Sequence, residues 1–265
     1  MVEAPSTMPE PDLLSYTLEG PVAWLGLNRP AKRNAISEAL LAELDRGIAR
    51  AQGEARAIVI HGHGPCFCAG LDLGEQRLRS AAEVFHLSRD WHALFTRLRH
   101  GRVPAIAALH GATVGGGLEL ATACHIRVAD ASAFFALPEG TRGIYVGGGA
   151  SVNVARLIGA ARMADMMLTG RVIDAPMAER IGLVQYLAPA GEALAKAGEL
   201  AATIAGMAPL TVLAILQALP RIQDMSESDG LFVESLTAAL AQTGPEAVAM
   251  LTDFVEKRGR KVQQP

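Results

Sequence analysis

What most constrains this chain is the order of its hydrophobic periodicities. To about residue 188, short β-prone runs alternate with stretches of helical spacing; beyond it the pattern is helical almost to the carboxyl end. Parallel strands need a long return connection, normally a helix, so this order predicts an α/β body with a helical carboxy-terminal appendage. Residues 14–18 and 22–27 flank Glu19-Gly20-Pro21 and read as a hairpin. Ser37 is an N-cap for a helix whose Leu40, Leu41, Leu44 and Ile48 share one face. Ser80 and Glu83 form a capping-box pattern opening a helix towards Arg99. Further strands are expected at 57–60, 105–109, 126–129, 133–136 and 184–187, and helices at 151–158, 161–169 and 175–181. The expected organisation is a flexible amino terminus over 1–12, a core carrying the active site over 13–197, and a helical oligomerisation region over 198–265.

Composition removes several classes. Hydrophobic residues are 50% and charged residues 19%, enough apolar material for a packed core and unlike a disordered chain. Lys and Arg number 24 against 27 Asp and Glu, a net charge of −3, so bulk attraction to nucleic acid or an anionic membrane is not expected. The odd set Cys66, Cys68 and Cys124 makes no disulfide framework and fits a reducing compartment. The opening residues, with Pro5, Pro9 and Pro11, lack the basic start and apolar run of a signal peptide, and no apolar run is long enough for a bilayer. A cytoplasmic protein is the expectation.

Familiar motifs are missing. Gly62-His63-Gly64 has Phe67 where a dinucleotide fingerprint needs its third glycine, and no GxxxxGK[ST] occurs. Gly149-Ala150-Ser151-Val152-Asn153 fails as a nucleophile elbow at its last position. Cys66 and Cys68 have poor zinc spacing and no second pair, so no metal site is expected.

Two segments carry chemistry. Phe67 to Leu73 follows a buried strand, at the end where open α/β proteins place sites. His110 to Leu120 also follows a strand and enters a helix through Gly115-Gly116-Gly117. Glycine lets a ligand oxygen approach bare backbone N–H groups, and the helix start adds partial positive charge, which makes a candidate oxyanion hole. Glu119, three residues after Gly116, shares its helical face. Glu139, after Pro138, opens a second glycine-rich loop that ends at Gly149. Two carboxylates around one polarised carbonyl divide acid and base work; the plainer alternative is a tightly packed glycine turn with a dipole-complementing Glu.

These residues resemble the crotonase (enoyl-CoA hydratase/isomerase) superfamily. The resemblance runs through Asn28-Arg29-Pro30 with Arg33-Asn34-Ala35, Ala69-Gly70-Leu71-Asp72-Leu73, Gly115-Gly116-Gly117-Leu118-Glu119-Leu120-Ala121, Pro138-Glu139-Gly140, Leu168-Thr169-Gly170 with Ala178 to Val184, and Phe254 to Arg258. It implies a spiral of ββα units with a carboxy-terminal helical trimerisation region, hence a homotrimer or homohexamer. By similarity, the N–H groups of Leu71 and Gly116 form the oxyanion hole for the thioester carbonyl of an acyl-CoA. Arg33, Ala35, Ala69, Asp72 and Leu73 would line the coenzyme A path, and Lys257 would reach the phosphates bound to a neighbouring subunit. Coenzyme A enters as part of the substrate, and no separate cofactor is implied.

The activity this implies is addition of water to a short-chain trans-2-enoyl-CoA, a class that includes substituted acryloyl-CoA. Glu139 is taken as the α-proton donor and Glu119 as the water activator, an assignment the sequence leaves open. Double-bond isomerisation on the same site and a non-catalytic acyl-CoA- or RNA-binding role are the alternatives. One departure from the family pattern stands out: Val146 replaces a proline, and Gly147-Gly148-Gly149-Ala150 follows it. Cys68, beside the first loop, reads as a small packing residue rather than a nucleophile.

Overall fold

A computed structural model describes residues 12–75 and 77–256. Most of the expected flexible terminus, and Lys257, lie outside the described residues. The hairpin is present as β1 (Leu14–Glu19) and β2 (Val22–Leu27), paired antiparallel. Helix α1 (Glu38–Glu54) follows, with the Ser37 hydroxyl accepting the Leu40 N–H. Strand β3 (Ala57–Gly62) then pairs parallel with β2. Helix α2 (Ala81–Arg99) opens on the complete Ser80–Glu83 capping box. Strands β4 (Ala105–Leu109) and β5 (Ala112–Val114) lead into α3 (Gly116–Ala123), β6 (Ile126–Asp130) and β7 (Phe134–Ala136).

After β7 come α4 (Ala150–Ile158), α5 (Ala160–Thr169), β8 (Ile173–Asp174), α6 (Ala175–Arg180) and β9 (Tyr186–Ala188). The chain then turns wholly helical through α7 (Ala193–Ala205), α8 (Pro209–Ile222), α9 (Glu227–Gln242) and α10 (Pro245–Val255). The main sheet runs β1-β2-β3-β4-β6-β9, parallel beyond the hairpin, and a small sheet runs β5-β7-β8. The mixed α/β body with a helical tail agrees with the expected fold class.

Strand alternation divides the core. Ile58 and Ile60 of β3 face a large cluster with α1 and α2, whereas Ala57 and Val59 face α7. Helix α7 meets the sheet through Ala193, Ala197, Ala201 and Ala205, whose four-residue spacing builds one small-residue face and lets the backbone approach closely.

β5 and β8 are not among the expected strands, and β9 begins two residues later than expected. β5 and β8 are three and two residues long, too short for any periodicity, and exist because β7 pairs with both. Leu183 and Val184 bond back to the Ala178 carbonyl and finish α6 instead of starting a strand. No single described helix is long and apolar enough to cross a membrane.

Candidate active site

Two chain crossings build the pocket. In the first, Arg33 and Asn34 both take positive φ, 51° and 55°. Asn34 makes this tenable: its amide donates to the carbonyls of His63 and Cys66, and its oxygen accepts the Arg29 N–H. The turn docks the segment 33–36 on the loop after β3. There the Ile36 N–H donates to Gly70 O and the Asp72 N–H to Ile36 O. A parallel bridge of this kind engages the residues on either side of Leu71, so the Leu71 N–H points to the opposite side.

The second crossing is the glycine triple. The Gly115 N–H donates to Ala136 O, and the chain then enters α3. Gly115 adopts φ 54°, and a Cβ there would stand 2.7 Å from Glu139 Oε1. A Cβ on Gly116 would stand 2.9 Å from Trp91 and 3.7 Å from the Leu71 nitrogen, and one on Gly117 would meet the Cys68 carbonyl. The glycines therefore serve close approach, and they bring the Leu71 and Gly116 amides side by side. Neither N–H has a hydrogen-bond partner among the described residues, as a donor pair reserved for a ligand requires.

Glu119, one turn into α3, is 4% exposed; Glu139 is 8% exposed. Oε1 of Glu119 accepts the N–H of Gly148 at 2.7 Å and of Ala150 at 3.2 Å. Oε2 of Glu139 is buried with no partner among the described residues. Burial pushes the Glu119 carboxyl from its ordinary 4.5 up to about 7, against the pull of those two N–H donors and with a further push from Glu139. Burial raises Glu139 as well, while Arg142 holds it back.

The cavity between these groups measures about 200 Å³ and is bordered by Ala69, Leu71, Leu73, Gly116, Glu119 and Glu139. Six of the residues expected at the site are thus brought together. Arg33, Ala35 and Asp72 do not border this cavity. Arg33 is exposed and Ala35 half-buried. The Asp72 carboxylate pairs with Arg29 at 2.8 Å and accepts the Gly74 N–H, which holds its pKa down.

Other wall residues escaped the sequence reading: Trp91 and Ser88 of α2, Arg79, and Arg142. Trp91 falls on the apolar stripe of an amphipathic helix, where an aromatic looks like any core residue. The departing loop has a definite task, because Gly148 both borders the cavity and holds Glu119. Cys68 is fully buried, with its thiol donating to the Asn34 carbonyl at 3.0 Å and its pKa pushed up to about 12. It is a packing residue, as expected.

The fold is that of the crotonase superfamily. A crystal structure from Rhodopseudomonas palustris, provisionally named an enoyl-CoA hydratase, superposes with a TM-score of 0.91 at 51% identity, covering 96% of this chain and 98% of that one. The chain belongs to the enoyl-CoA hydratase/isomerase family, which it matches over residues 17–264. It is 35% identical over 239 residues to the 2,3-dehydroadipyl-CoA hydratase of Escherichia coli K12, covering 89% of this chain and 93% of that protein. It is 34% identical over 237 residues to the probable mitochondrial enoyl-CoA hydratase 2 of Arabidopsis thaliana, covering 88% of this chain and 79% of that protein.

Proposed function

We propose that this protein is a hydro-lyase that adds water across the 2,3 double bond of a short trans-2-enoyl-CoA. One observation carries the reading: two buried carboxyl groups, Glu119 and Glu139, border the same cavity as the amides of Leu71 and Gly116, which have no partner among the described residues. A lone acid would suffice to shuttle a proton between carbons. Adding water calls for one group to take a proton from it and another to protonate carbon.

The thioester oxygen accepts from the two N–H groups. As the water oxygen bonds to the β-carbon, the π electrons move towards the thioester oxygen and an enolate develops. The donors meet its charge without reorganising, and one such donor is worth about 3–4 kcal/mol. Ionised Glu119, fixed by Gly148 and Ala150, takes the proton of water. Protonated Glu139 delivers a proton to the α-carbon, collapsing the enolate to the 3-hydroxyacyl thioester. A Glu119 pKa near 7 leaves it basic enough to act and ionised enough to be available. The chemistry needs no cofactor beyond the coenzyme A of the substrate.

Self-association belongs to the same reading. Phe232, Leu236 and Leu240 of α9 and Phe254 of α10 are all more than half exposed, a large apolar area for a lone subunit. A homotrimer, alone or doubled, would cover it; light scattering on the purified chain measures the mass directly.

The test of function is loss of enoyl-thioester absorbance with crotonyl-CoA, run beside a 3-enoyl-CoA. Hydration of the first, reduced on the order of 10²–10⁴-fold in Glu119→Gln and in Glu139→Gln, is expected. Turnover of the 3-enoyl substrate alone would make the protein an isomerase, and unchanged rates in both variants would remove the catalytic assignment.

A further inference from the structure

The cavity contains charge that the hydration mechanism does not use. Its border is largely apolar, with Val84, Leu87, Trp91, Ile144 and Val146 among its residues, yet two arginines also reach it, Arg79 and Arg142. Arg79 is committed to Glu38 at 2.7 Å, with its own side chain 10% exposed. Arg142 is different: its guanidinium makes no hydrogen bond or ion pair with a described side chain, although Glu139 feels its charge.

The backbone at Arg142 is held in place, while its side chain is exposed. It ends the short 3-10 turn Gly140–Arg142, in which the Arg142 N–H donates to Glu139 O and the Thr141 hydroxyl to Pro138 O. The turn is pressed on α5, since a Cβ on Gly140 would meet the Met167 carbonyl. Arginine keeps its proton at any working pH, and its planar fork matches a carboxylate. A plain hydrocarbon tail would share the cavity with this cation and offer it nothing.

We infer that the acyl group accepted here ends in a carboxylate, and that Arg142, on the turn after Glu139, is the residue that recognises it. The ligand class is the coenzyme A thioester of a dicarboxylic acid. The inference rests on the acyl-CoA reading above and narrows it. Anionic phosphate of coenzyme A is the other possible partner for the same guanidinium, so the test separates the two.

Binding separates this inference from the hydratase reading, because saturated thioesters bind without reacting. Calorimetry would compare adipoyl-CoA, hexanoyl-CoA and free coenzyme A on the full chain, wild type and Arg142→Gln. Adipoyl-CoA and hexanoyl-CoA differ chiefly by a carboxylate in place of a methyl. The expected result is an advantage of about tenfold for adipoyl-CoA, the modest end for a charged hydrogen bond at an exposed site. That advantage is lost in Arg142→Gln and partly restored in Arg142→Lys. Equal affinities in the wild type, or an advantage that survives Arg142→Gln, would overturn the inference. An equal loss for all three ligands assigns Arg142 to the coenzyme A phosphates and overturns it too. If neither thioester binds more tightly than free coenzyme A, the acyl-CoA reading itself fails, and this inference with it.

Discussion

The Gly148 N–H donates to Oε1 of Glu119 at 2.7 Å. A loop that departs from its family's usual sequence thereby fixes the orientation of a buried acid on another element. The loop can come this near only because residue 148 has no side chain. A Cβ there would stand 2.8 Å from Glu119 Oε2 and 2.9 Å from Trp91.

Gly148→Ala is therefore expected to displace Glu119 and Trp91 together. Overpacking of this sort costs about 1–3 kcal/mol. Activity on crotonyl-CoA should fall by at least roughly tenfold, since a small misplacement of a reacting group is expensive. Denaturant melts with steady-state rates on the same preparation check both; a wild-type rate would show that the contact does not position Glu119.

Glu119 makes stability depend on pH. Its folded pKa, about 7, lies above its ordinary 4.5. The folded state thus holds this proton more tightly, and the associated stability is complete below about pH 4.5 and lost as the pH rises through 7. The full swing is roughly 3 kcal/mol. Glu119→Gln keeps an oxygen acceptor for the Gly148 and Ala150 N–H groups and has no proton to lose. Urea midpoints at about pH 5 and about pH 8 should separate for the wild type and converge for the variant. Parallel behaviour of the two proteins would place the titration elsewhere.

Leu71→Pro deletes a single donor. The Leu71 N–H bonds no described residue, so the substitution breaks no hydrogen bond among the described residues. Turnover is expected to drop about 10²–10³-fold, the usual loss for one oxyanion donor. Circular dichroism should show native structure. An active, folded variant would mean that this amide does not meet the thioester oxygen.

The three thiols should be silent in the native protein. Cys66, Cys68 and Cys124 are buried, burial raises the pKa of each, and Cys68 and Cys124 reach about 12. Only thiolate reacts appreciably. Mass spectrometry after iodoacetamide treatment at about pH 8 should find no label on the folded chain and full label in denaturant. Rapid native labelling of Cys68 would contradict its packing role.

By itself the sequence determined the succession of strands and helices, because periodicity is local and the long elements repeat it often enough to be read. It also determined that Gly115 to Gly117 and Glu119 form one unit, since a single turn of backbone at a helix start leaves little freedom. Only the tertiary structure decided what those residues meet. That Gly116 lies against Trp91, that Gly148 holds Glu119 and that Arg142 reaches the cavity all depend on contacts between segments far apart in the chain. The short strands β5 and β8 are decided in the same way, by a neighbour and not by their own residues. Local pattern carries no record of such distances; they are set when helices and loops pack on the sheet and close approach is allowed only where a side chain is missing.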